Sequence, residues 1–225
     1  MSDSIIKFNP EEFEINGTVL TKYKGEGNYV KIPEGVTEIG EKVFFHNYVV
    51  EEVSLPDSLT KIGDLAFTHC HKLKNITIPA GVTEIGNAAF YRCYYLKRAT
   101  IYGKITRINA ETFDTCRSLS SVTLPETLRE IGTTAFQLCP DLKKINLPSS
   151  LESIEKCAFT GSGLVSIFIP AGVKKIANRA FSQCWSLTQI ACEAKEKPEG
   201  WDDGFVNVPE LPIKTKVIYK CKRKA

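Results

Sequence analysis

The sequence is poor in features that announce chemistry. It has no G-x-x-x-x-G-K, no G-x-G-x-x-G after a strand, no H-E-x-x-H and no G-x-S-x-G, so phosphate loops, dinucleotide folds, zinc proteases and nucleophile elbows have no carrier here. No nucleophile with its base and no paired carboxylates stand out either, so no catalytic residue, cofactor or metal is assigned and the chain does not read as an enzyme. No window approaches the roughly 18 apolar residues needed to span a bilayer, and Met1 to Lys7 lack a basic stretch followed by an apolar run. These absences predict a soluble chain with no secretion signal and no membrane span, cytoplasmic, or at the cell surface if the natural product is longer. Charge of one sign is also scarce: 29 basic against 26 acidic residues give a formal +3, too small to argue for a nucleic-acid partner. The basic run Lys220-Cys221-Lys222-Arg223-Lys224 reads as a solvated terminus or as a contact for anionic lipid or nucleic acid. With 43% hydrophobic and 24% charged residues a core can form, and disorder is excluded as the main state.

What is abundant is repetition, and it decides the fold. Phe44, Phe67, Phe90, Phe113, Phe136 and Phe159 are spaced by 23 residues, and Phe181 follows after 22. Ile39, Ile62, Ile85, Ile108, Ile131, Ile154 and Ile176 keep step, as do Pro33, Pro56, Pro79, Pro125, Pro148 and Pro170, with Tyr102 in the fourth proline slot. The missing residue lies near Gly161 to Gly163.

In the third unit, Leu73 to Ile78 reads L-x-x-I-x-I and ends in period-two alternation of branched residues, which places one parallel strand per coil there. Pro79 ends the strand because it cannot donate to a ladder. Val82 and Ile85 turn inward along a second short extended stretch, and Gly86 permits a sharp bend. Asn87 to Cys93, with Ala89, Phe90 and Cys93 apolar, suits one helical or 3₁₀ turn opposite the strand. A single unit cannot bury such a face, but stacked copies can. At the ends, Phe13 to Leu20 alternates around Asn16-Gly17 as a hairpin does, giving a cap over residues 1–30. Seven repeats fill 31–192. Residues 193–225 close the chain, with Trp201 or Phe205 over the last coil and a final strand at Lys216 to Tyr219.

The consensus L-x-x-I-x-I-P-x-x-V-T-x-I-G-x-x-A-F-x-x-C-x-x-L over roughly 31–192 resembles the BspA-like leucine-rich repeat family. The resemblance implies a curved, right-handed leucine-rich-repeat solenoid, known chiefly in bacterial surface proteins, acting as a noncatalytic binding or adhesion module for proteins or glycans. Local departures are Asn47 in the first cysteine slot, Tyr102-Gly103 in the fourth unit and the short sixth unit.

Eight cysteines do not make a disulfide framework here. Cys70, Cys93, Cys116, Cys139 and Cys184 share one inward column, where equivalent Cβ atoms lie about 4.8 Å apart, beyond the roughly 3.8 Å a disulfide favours. They read as free thiols packed as small hydrophobes, with Cys157 and Cys221 the exposed ones. His46, His69 and His71 gather on one edge, read as a solvated edge or, alternatively, an adventitious metal site. The sequons at Asn16 and Asn75 matter only in a eukaryotic secretory setting.

Outward strand positions are Glu52 and Ser54, Asn75 and Thr77, Arg98 and Thr100, Ser121 and Thr123, Lys144 and Asn146, Ser166 and Phe168, and Gln189 and Ala191. They read as a polar ladder, in which Phe168 is either a contact point or covered by the C-terminal cap. Four residues beyond the phenylalanine column come Tyr48, His71, Tyr94, Arg117, Pro140 and Trp185, widened by Tyr91 and Tyr95 and rimmed by Lys72, Arg92 and Lys97. This strip either shields the coil edge by stacking on itself or binds a partner, since aromatics and arginine dominate interface hot spots. The functional expectation is a monomeric recognition or adhesion module, with an intracellular structural scaffold as the alternative.

Overall fold

The computed structural model describes residues 10–206 and 215–222. Met1 to Lys7, and Arg223 and Lys224 of the basic run, lie outside these residues. The L-x-x-I-x-I segments form the parallel strands expected of them. Tyr29–Lys31, Glu52–Ser54, Asn75–Ile78, Arg98–Ile101 and Ser121–Thr123 pair in sequence order into one sheet, and Ser166–Ile169, Gln189–Cys192 and Lys216–Ile218 into another. Register is one repeat, so Asn75 lies opposite Arg98 and Thr77 opposite Thr100. Ile76 and Ile78 are buried while Asn75 and Thr77 are exposed, which is the period-two alternation read from the residues.

The second extended stretch also pairs, so most coils carry two strands. Glu38–Ile39, Lys61–Ile62 and Glu84–Ile85 stack in parallel onto Val19–Tyr23, and Arg107–Ile108, Glu130–Ile131, Ser153–Ile154 and Lys175–Ile176 form a second set. The interruption between these sets falls at Tyr102-Gly103. In other units the residue three after the proline closes a turn onto the proline carbonyl, as Val82 does to Pro79 at 3.1 Å and Leu128 to Pro125 at 3.1 Å. Tyr102 has an N–H, and donates it to the Ile78 carbonyl of the preceding coil at 3.0 Å. The first sheet is interrupted at 144–147, which form no strand, one coil before the short unit.

The segment opposite the strand is neither helical nor 3₁₀. Its N–H groups alternate in destination. Ala66, Thr68 and Cys70 bond back three residues to Gly63, Leu65 and Phe67, whereas Leu65, Phe67 and His69 donate to Asn87, Ala89 and Tyr91 of the next coil at 2.8–2.9 Å. A helix satisfies its N–H groups internally and leaves none to tie coil to coil. Left-handed residues make the alternation possible: Leu65 and His69 have φ of 58° and 62°, and Ala88 and Arg92 repeat this at 51° and 57°. Gly86 has a different role from the expected bend. Its φ is not left-handed; a Cβ there meets the Asp64 nitrogen at 2.4 Å, so glycine allows close approach of successive coils.

The core is a set of columns. Phe44, Phe67, Phe90, Phe113, Phe136, Phe159 and Phe181 are buried and stack with centroids 4.8–5.4 Å apart and planes within 3–9°. Beside them Cys70, Cys93, Cys116 and Cys139 are buried, each thiol donating to the carbonyl of the phenylalanine one coil back at 3.1–3.2 Å. Cys184 does the same to Phe159 at 3.0 Å, with Ser162 filling the cysteine slot of the short unit. In the first coil Asn47 accepts the Val49 and Val50 N–H groups. All eight cysteines are free, and Cys157 and Cys221 are the partly exposed ones.

The stack is sealed at both ends. Phe13–Asn16 and Val19–Tyr23 form an antiparallel hairpin through left-handed Gly17, and the Tyr23 ring packs at 4.9 Å on Phe44. Trp201 is buried on the last coil, bridges in parallel to Ile176 and donates its indole N–H to the Val173 carbonyl at 3.0 Å. Phe205 ends the phenylalanine column edge-on, 6.4 Å from Phe181.

Candidate functional site

The residues following each column phenylalanine leave the core and line one edge of the solenoid. Two positions on, the backbone is left-handed at His46, His69 and Arg92 (φ 58°, 62° and 57°). Four positions on come Tyr48, His71, Tyr94 and Arg117. Because the coils are in register, these side chains meet their equivalents directly.

Two stacks result. In the outer one, Tyr48 and His71 have ring centroids 4.9 Å apart, His71 and Tyr94 stack at 4.4 Å, and the Arg117 guanidinium lies 5.0 Å over Tyr94. In the inner one His46 stacks on His69 at 4.4 Å, His69 meets the Tyr91 edge at 5.7 Å, and the Arg92 guanidinium lies 5.0 Å over Tyr91. Hydrogen bonds tie them together: the Tyr48 hydroxyl lies 2.6 Å from His46 Nδ1, and His69 Nδ1 lies 3.2 Å from His71 Nε2. Partial burial holds His69 and His71 below the usual imidazole range, helped by His46 and Arg92 beside both and by His71 beside His69. Under Arg92 lies buried Asp114, whose carboxyl accepts from the Thr115 hydroxyl at 2.7 Å and is pushed upward by burial.

The expected strip therefore exists over four coils. Tyr48, His71, Tyr94 and Arg117 form one stack, and Tyr91 joins through His69. Tyr95 is 60% exposed and lines a separate hollow of about 280 Å³ with Glu51, Lys72, Lys74 and Lys97. Trp185, in the same column, is exposed with no ring partner among the described residues, since Gly163 occupies the slot between it and Pro140. A Cβ at Gly163 meets the Pro140 carbonyl at 1.9 Å, so a side chain has no room there. Phe168 is partly buried on the strand face, in a groove of about 490 Å³ with Lys144, Leu147, Ala191 and Cys221. Two edge residues escaped the sequence reading. Phe45, 4.3 Å from His46, shares its repeat slot with Tyr91, but Thr68 in the coil between them interrupts the aromatic column; Tyr102, beside the N-terminal strand-face hollow, stands in the sequence as the residue displacing proline.

Among the described residues no group of three or more His, Cys, Asp or Glu side chains converges as a metal site, and no helix is long and apolar enough to cross a membrane. The edge offers flat packing, hydroxyl and guanidinium donors, and imidazoles.

Known proteins agree with this architecture. The profile described as BspA type Leucine rich repeat region, in 6 copies, matches residues 22–140 and 106–197. A leucine rich cell surface protein from Faecalibacterium prausnitzii A2-165 is 33% identical, with a TM-score of 0.75 over 91% of this chain and 58% of that one. The T. pallidum leucine-rich repeat protein is 28% identical, with a TM-score of 0.70 over 80% of this chain and 90% of its own. A leucine-rich repeat protein from Eubacterium ventriosum, 24% identical, shares the fold with a TM-score of 0.72, covering 84% of this chain and 50% of that one. The chain thus spans little more than half of the Faecalibacterium protein. A search of curated proteins found no match. With the profile covering most of its length and the repeat columns realised in three dimensions, the chain belongs to the BspA-type leucine-rich repeat family.

Proposed function

We propose that this chain is a noncatalytic recognition or adhesion module that grips a protein or glycan partner through the edge built by Tyr48, His71, Tyr94 and Arg117. One observation carries the reading: aromatic and arginine side chains, the types that dominate interface hot spots, form a contiguous stack over four coils and stay partly exposed. A stack serving only to shield the coils gains little from exposed hydroxyls and guanidinium groups. The test is the double variant Tyr48→Ala/Tyr94→Ala, measured against a panel of glycans and purified extracellular-matrix proteins. Binding to a panel member that weakens at least about tenfold, with the melting temperature nearly unchanged, supports the reading. A lowered melting temperature with binding intact makes the stack scaffold.

A surface location is supported by the Faecalibacterium relative, which is a cell surface protein. The alternative, an intracellular scaffold, draws on the eight unpaired cysteines, since oxidising compartments favour disulfides. Immunogold labelling of the producing cell separates these two.

A further inference from the structure

The aromatic edge has an unbalanced charge inventory. The charged groups facing His69 are His46, His71 and Arg92, and those facing His71 are His46 and Arg92. Not one is a carboxylate. Asp114, one coil on from Arg92, is buried, accepts from Thr115 and faces Arg92 and Glu111. Arg117 lies over the Tyr94 ring, and Lys72 and Lys97 are exposed in the separate hollow that also holds Glu51 and Lys74.

The stacking also decides which part of each ring a partner meets. Tyr94 lies between His71, stacked on it at 22°, and the Arg117 guanidinium, so both its faces are covered and its rim is left to a partner, while Tyr48 packs on His71 tilted by 47°. Aromatic rims are the electropositive part of the ring, whereas a sugar packs on an open face. Rims, imidazole and guanidinium N–H groups together suit carboxylates. Phe45 and Val49 stand exposed beside them, giving apolar side chains a place to pack.

We infer that this edge docks an acidic segment of a polypeptide, in which Asp or Glu carboxylates alternate with apolar side chains, and that docking takes up protons. The inference rests on the recognition reading above and names the chemistry of its partner.

The proton count follows from hydrogen bonding. In the free protein His69 and His71 share one N–H between Nδ1 and Nε2, and the Tyr48 hydroxyl caps His46 Nδ1. The shared bond survives addition of one proton to the pair but not of two, because two imidazolium rings have only donors to offer. A carboxylate at the rims supplies the missing counter-charge, raises the affinity of the pair for a proton and gains its own second donor. Affinity therefore climbs as pH falls through the imidazole range, and levels off below the free imidazoles' own titration, while glutamate side chains with pKa about 4.3 stay ionised.

The probe is a fluorescent peptide of alternating Glu and Leu, with a Lys and Leu peptide and heparin as comparisons, titrated into the full chain by anisotropy at about pH 7.5 and about pH 5.5. The expected result is binding of the acidic peptide alone, tightening about tenfold per pH unit for each proton taken up and weakening with salt. His69→Gln/His71→Gln should remove most of the pH dependence, and Arg92→Gln/Arg117→Gln should weaken binding at both pH values. Circular dichroism confirms that each variant is folded; a double variant that unfolds is replaced by its two single substitutions, read in the same way at both pH values. Heparin binding more tightly than the acidic peptide overturns the inference in favour of an acidic glycan, and pH-independent peptide binding overturns the proton coupling. If no peptide binds but Tyr48→Ala/Tyr94→Ala still abolishes capture of a panel member, the partner chemistry fails while the recognition reading stands.

Discussion

At the scale of single residues the columns make sharp predictions. Phe90 is buried between two stacked neighbours, so Phe90→Ala removes packing from two coil interfaces and should cost about 3 to 5 kcal/mol. Thr77 points outward on the same coil, and Thr77→Ala should cost less than about 1 kcal/mol. Urea unfolding of both variants checks the inward and outward registers; equal losses contradict them. The thiols divide in the same way. Burial pushes Cys70 up to about 12, does the same to Cys192, and raises Cys93, Cys116, Cys139 and Cys184. Thiolate is the reactive form, so these six should react with a thiol reagent only after denaturation. Cys157 and Cys221, the partly exposed pair, should label in the native protein. Native labelling of four or more thiols, read by intact mass, contradicts the ladder.

At the scale of elements the informative segment is the turn after each isoleucine strand. Its non-glycine left-handed residues carry a steric cost of roughly 1 kcal/mol or more, repaid by the N–H groups they release to the neighbouring coil. Glu111, exposed with φ of 59°, is such a residue. Glu111→Gly relieves the clash while keeping its N–H on the Thr133 carbonyl, and should stabilise by about 0.5 to 1 kcal/mol. Glu111→Val adds a branched Cβ in the left-handed region and should destabilise. Chemical denaturation of the pair decides whether the turn geometry is as described. Composition alone could not show this: Ala, Phe and Cys spacing is shared by a helical turn and by alternating turns, and the choice depends on carbonyls presented 22 residues away.

At the scale of the whole molecule each coil leans only on its neighbours, so the ends control solubility and fraying. Trp201 closes the final coil with its indole bonded to Val173, and Trp201→Ala should cost about 3 to 5 kcal/mol and raise amide exchange first in the last two coils, leaving the centre protected. Uniform loss of protection contradicts nearest-neighbour behaviour. Acid should act through the histidine edge. His69 and His71 have folded pKa values below the unfolded imidazole range, so the unfolded chain binds their protons first. Their contribution is complete above about pH 6.5 and is lost as pH falls toward their folded values. The melting temperature should therefore drop across that window, and less in His69→Gln/His71→Gln.

The 23-residue spacing by itself determined the solenoid, the inward columns of phenylalanine, isoleucine and cysteine, and the strand at L-x-x-I-x-I, because each follows from burying one periodic face. It also placed Tyr48, His71, Tyr94 and Arg117 in one column. What the tertiary structure alone decided is where that column stays whole. Tyr48 to Arg117 stack because four consecutive coils stay in register with flat or planar groups in every slot, whereas Trp185 is stranded beyond Pro140 and Gly163. The hydrogen bonds between His46 and Tyr48 and between His69 and His71, the burial of Asp114 beneath Arg92, and the second ladder of two-residue strands likewise needed coordinates. They depend on which rim, carbonyl or carboxyl meets which across a coil-to-coil gap, and a linear pattern does not contain that distance.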